Sequence, residues 1–142
     1  MRKAVLLIAT VAALIAVSAP AAAVSPFQPV HLTFDKSATD VAGTWKGTVS
    51  GDVSGGLTTQ LLKLKVVGPI WFVTFDWIID AGPSSFTARL SGILNTSTGG
   101  VLMTGKVISG YRLGAMVIEQ GQLVDAGHSE FVGTIDVMPN GH

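Results

Sequence analysis

The chain has 142 residues, is 48% hydrophobic and only 13% charged, and balances nine basic against nine acidic residues. A chain of this size suits one domain with one core, and its scattered lysines and arginines form no basic patch, so nucleic acid is not an expected partner. There is no cysteine, which excludes a disulfide framework, a thiolate metal site, a cysteine nucleophile and a lipidated cysteine.

Met1-Arg2-Lys3 gives a positive start, Ala4 to Val17 carries no charge, and Ser18 to Val24 is dominated by small residues. This is the order of a secretory signal, too short to be retained as a membrane span, with a preferred cut after Ala21-Ala22-Ala23. The expected division is a signal peptide at 1–23 and a single domain at 24–142, secreted or periplasmic, with no stable membrane span after cleavage. Loss of Arg2 and Lys3 leaves a small acidic excess.

Pro26 and Pro29 favour an extended lead-in. Apolar and polar residues then exchange strictly from Val30 to Asp35, which puts Val30, Leu32 and Phe34 on one face of a strand. Gly43 to Val53 alternates with Trp45, Val49 and Val53 on one face, and its glycines recur at every fourth position. Repeated glycine on one face signals tight curvature or a need for space, and the spacing is not that of a phosphate-binding loop. The parity of Leu57 to Leu61 changes at Leu62 to Val66, as a β-bulge produces.

Gly68-Pro69 marks a turn, after which Trp71, Val73, Phe75, Trp77 and Ile79 line one face of a strongly apolar strand. Phe86 to Leu94, Val101 to Val107, Leu113 to Leu123 and Phe131 to Val137 complete eight strand candidates separated by turn residues. The fold class expected is all-β, an eight-stranded antiparallel up-and-down sheet, with closure into a barrel favoured over a sandwich because closure removes edges. The outer faces read as rich in Thr, Lys, Asp and Arg, unlike the lipid-facing surface of an outer-membrane barrel.

Gly43-Thr44-Trp45 resembles the G-x-W element of lipocalins, fatty-acid-binding proteins and avidins, whose tryptophan plugs one end of the barrel. That resemblance implies a basic side chain over the indole, for which Arg112 is available. Asn95 to Gly100, Gly105 to Ala115 and Phe131 to Ile135 resemble the second half of barrels related to allene oxide cyclase and dirigent proteins. This implies a calycin-like barrel whose apolar cavity steers a reactive lipid or phenolic radical. No segment matches those families' active sites, so no catalytic residue carries over.

Trp45, Trp71, Phe75 and Trp77 are the largest apolar surfaces and are the expected core or, if the interior is hollow, the wall of a ligand pocket. Glu119 shares the odd register of Ala115, Val117 and Leu123. Inside a barrel it would be a polar anchor or proton-transfer group with a raised pKa or a partner such as Arg89 or Arg112; near a rim it would stand in water. His31 and His128 lack metal-binding spacing, Ser129 beside His128 and Glu130 forms no triad, and Asn95-Thr96-Ser97 is a glycosylation sequon in a eukaryotic route.

No metal or cofactor is expected. The leading expectation is a secreted barrel that binds an apolar or amphipathic small molecule through Trp45, Trp71, Phe75, Trp77 and Glu119. A cyclase or isomerase with an apolar cavity, in which Glu119 is the weak catalytic candidate, and a structural or cell-surface interaction module are the alternatives.

Overall fold

Strict alternation of side chains lets one face of each segment enter a core while the other meets water, and eight such segments form strands. The computed structural model describes residues 24–139; the expected signal peptide lies outside them. The strands are β1 (Val30–Ala38), β2 (Thr44–Gly51), β3 (Gly55–Val67), β4 (Ile70–Asp80), β5 (Phe86–Asn95), β6 (Gly100–Gly110), β7 (Met116–Asp125) and β8 (Glu130–Val137). Each pairs antiparallel with its chain neighbours, and β1 pairs with β8, closing the barrel.

The inner face carries Val30, Leu32 and Phe34 from β1, Val73, Phe75, Trp77 and Ile79 from β4, and Val117 and Ile135 from the closing strands, all buried. The expected bulge is present: Leu61 pairs with Phe75 but Lys63 with Thr74, so Leu62 is the extra residue. Two further register shifts, at Thr87/Ala88 and Leu123/Asp125, have no counterpart in the sequence pattern. Gly47 answers the question of the repeated glycines, since a Cβ there would meet the Asp35 carbonyl oxygen at 1.8 Å. The β1 and β2 backbones therefore approach as only glycine permits.

Strand β7 begins at Met116 and not at Leu113. Arg112 and Gly114 adopt positive φ, 59° and 87°, which turns the chain before the strand can start. Leu113 is exposed as a result.

Up-and-down connection places alternate loops at opposite ends. At one end Arg112 donates to the backbone carbonyls of Ser25 and Gln28, fastening the proline-containing lead-in, and Val24 packs against the core. At the other end β3 and β4, the longest strands with β6, carry inward-facing Leu64, Val66 and Trp71 that stay partly exposed. They form an apolar lip. The outer face is less polar than its sequence suggests, because Phe72, Ile93 and Leu102 stand in register across β4, β5 and β6 and are exposed. Among the described residues no helix is long and apolar enough to cross a membrane.

Candidate functional site

Beneath the lip lies a cavity of about 90 Å³. One water needs roughly 10 to 15 Å³ and a benzene ring occupies a cavity of about 150 Å³, so the space holds several waters or a few carbon atoms. Its walls are mostly apolar: Trp45 from β2, Trp71, Val73 and Phe75 from β4, Leu94 from β5 and Met103 from β6. Two ionisable side chains also line it, Lys36 from β1 and Glu119 from β7.

Lys36 occupies the next inward position after Val30, Leu32 and Phe34, and only 5% of it is exposed. Its Nζ donates to Thr59 Oγ1 at 3.2 Å. Thr59 is itself fully buried and lies in register between Trp45 and Trp77. The rest of the ammonium faces aromatic rings: its nitrogen is 4.1 Å from the Trp77 centroid, 5.0 Å from Phe75 and 5.7 Å from Trp45, with Phe34 and Phe131 each at 5.9 Å. Ring quadrupoles attract the cation by about 0.5 to 2 kcal/mol per good contact, whereas removing an ammonium from water costs several kcal/mol. Desolvation wins, and burial pushes the Lys36 amine down to about 8 against the opposing charge of Glu119.

Glu119 is 1% exposed and stands in register between Met103 and Ile135. Burial pushes its carboxyl up to about 7, with the charge of Lys36 pulling the other way. Room for the carboxyl comes from Gly121, where a Cβ would meet Glu119 Oε1 at 2.6 Å and Phe34 Cζ at 3.2 Å. Glu119 Oε2 and Trp77 Nε1 are buried without a hydrogen-bond partner. No ion pair joins Glu119 directly to Lys36; the pairs that do form in the described residues, His31 with Asp136, Arg89 with Asp76 and His128 with Asp125, lie outside the core.

Of the residues singled out in the sequence, Trp45, Trp71, Phe75 and Glu119 meet at this cavity. Trp77 does not line it; fully buried, it packs edge-on to Phe34 at 5.0 Å and supports Lys36 from below. Trp45 packs edge-on to Phe75 at 5.4 Å, and its Nε1 donates to the carbonyl and hydroxyl of Ser129, both at 3.2 Å, tying the β7–β8 turn to the mouth. The rim position for Glu119 is overturned by its burial. The partners considered for it are also displaced, because Arg89 is outside on Asp76 and Arg112 is at the opposite end. The basic group near the Trp45 indole is Lys36, not Arg112.

Among the site residues absent from the sequence expectation are the wall residues Val73, Leu94 and Met103 and, with more chemical consequence, Lys36 and Thr59. The alternation of β1 held the signal for Lys36, since parity carried past Asp35 puts position 36 inside. Among the described residues no group of His, Asp or Glu is placed to hold a metal ion. No protein-family model, no curated protein and no solved structure matches the chain.

Proposed function

We propose that this barrel binds a small apolar or amphipathic molecule end-on, entering under the lip of Leu64, Val66 and Trp71. The carrying observation is a cavity with apolar walls and two ionisable groups, beneath a partly exposed apolar rim. Hydrocarbon or a ring would lie against Trp45, Phe75 and Met103, with its polar end toward Lys36 and Glu119. Pockets for drug-sized ligands run from roughly 300 to 1,000 Å³, so a cavity this small suits a small molecule or one end of a longer one, the remainder lying along the lip. The cavity supports this reading over an interaction module with a solid interior.

The N-terminal order of a charged start, an uncharged run and small residues supports a site of action outside the cytoplasm. Titration with alkanols, phenols and fatty acids, followed by tryptophan emission, tests the binding. A saturable shift is expected for probes with a narrow apolar end. No shift with any probe, beside a crystal structure in which side chains fill the space, would overturn the reading.

A further inference from the structure

We propose that Lys36 is a nucleophilic amine that captures the carbonyl of a small apolar aldehyde as an imine within this cavity, with Glu119 moving the protons. The inference rests on the binding reading above and names its ligand class.

A lysine kept only as structural charge is expected to be paired, since a buried ion without a partner is costly. Lys36 has one hydrogen-bond acceptor, Thr59 Oγ1, and otherwise five ring faces; Glu119 shares the cavity without contacting it directly, and Glu119 Oε2 has no partner. The polar groups of the site are therefore under-satisfied among themselves. Lys36, Thr59 and Glu119 are the buried polar side chains of the described residues, so no other ionisable group faces the amine from the strands around it.

Apolar enclosure favours amine over ammonium, and a desolvated lysine is the usual route to carbonyl capture. The neutral Nζ donates its lone pair to the carbonyl carbon, forming a C–N bond while the carbonyl oxygen takes a proton from the Glu119 carboxyl. The carboxylate so formed accepts a proton from nitrogen. It then returns that proton to the departing hydroxyl, so one water leaves and a C=N bond remains, protonated on nitrogen and balanced by the Glu119 carboxylate, with no oxidant or reductant consumed. A carboxylate ligand would bring a buried charge that the neutral amine cannot balance, whereas an aldehyde arrives neutral and engages both groups. The volume encloses the carbonyl and a few carbon atoms, less than a whole benzene ring, and leaves the rest of the aldehyde along the lip.

Incubation of the purified protein with benzaldehyde or hexanal and cyanoborohydride, followed by peptide mapping, tests this. Lys36 should be alkylated at least about tenfold faster than exposed Lys46, Lys63, Lys65 and Lys106, because lowering an amine pKa raises its neutral fraction tenfold per unit. Glyoxylate, polar and anionic, should lose that preference. E119Q should slow capture at Lys36 while leaving the labelling of the exposed lysines unchanged. If hexanol and benzyl alcohol shift tryptophan emission but Lys36 is labelled no faster than the surface lysines, imine capture is wrong and the binding reading stands. If neither alcohols nor aldehydes enter, both fall.

Discussion

The Lys36 ammonium lies 4.1 Å from the centroid of the Trp77 ring, and both side chains are buried in the barrel. An interior cation thus rests on an interior indole whose own N–H has no acceptor. This contact gives the titration of Lys36 an optical reporter.

Tryptophan emission should change between pH about 7 and 9, centred near 8, as the ammonium beside Trp77 loses its proton. The K36M variant should remove that transition. A transition of unchanged size and midpoint in K36M would assign it elsewhere.

Glu119 makes stability fall as the solution becomes less acidic. Its folded pKa is raised from an ordinary 4.5 to about 7, so its contribution is fully present below about 4.5 and is lost as pH rises through 7. Each pKa unit is worth about 1.4 kcal/mol, so the loss is on the order of 3 kcal/mol. Lys36 has the opposite sign: its folded value is depressed, so its contribution is present above 10.5 and lost as pH falls through 8. Denaturant unfolding of wild type and E119Q between pH 4 and 8 should show a steeper decline in wild type; parallel curves would contradict this.

Two glycines should respond differently to alanine. At Gly47 the new Cβ meets backbone, the Asp35 oxygen at 1.8 Å, so G47A should cost about 3 kcal/mol or more. At Gly121 it meets the end of the Glu119 side chain, which can yield, so G121A should cost about 1 to 2 kcal/mol and displace the carboxyl. Urea midpoints rank the pair, and equal midpoints would count against the close β1–β2 approach.

Trp71 is 36% exposed at the lip, so W71A should cost about 1 to 3 kcal/mol of stability, less than loss of a fully buried tryptophan. Its loss should also weaken binding of an amphipathic probe about tenfold, because a bound hydrocarbon would cover the exposed third of that ring, worth about 1 to 2 kcal/mol. Affinity unchanged in a folded W71A protein would remove the lip from the entry path.

The alternation of Val30 to Phe34 and of Trp71 to Ile79 by itself determined the strands and their inner faces, because the two-residue period of a strand is local. The parity slip at Leu61-Leu62 likewise marked the bulge, and the run of turn residues marked the strand count. Trp45, Trp71, Phe75 and Glu119 could be picked out by size or by register for the same reason.

Only the tertiary structure decided that the sheet closes by pairing β1 with β8, and which inward residues then share a layer. Lys36 and Glu119 stand on strands far apart in sequence, and their meeting at one cavity depends on the stagger at which the barrel closes, which no single strand encodes. The same closure separates Trp77 from the cavity that Phe75 lines, although the two share a strand face. Arg89 and Arg112 had equal standing as partners for Glu119 in the sequence; strand orientation put one outside and chain direction put the other at the far end.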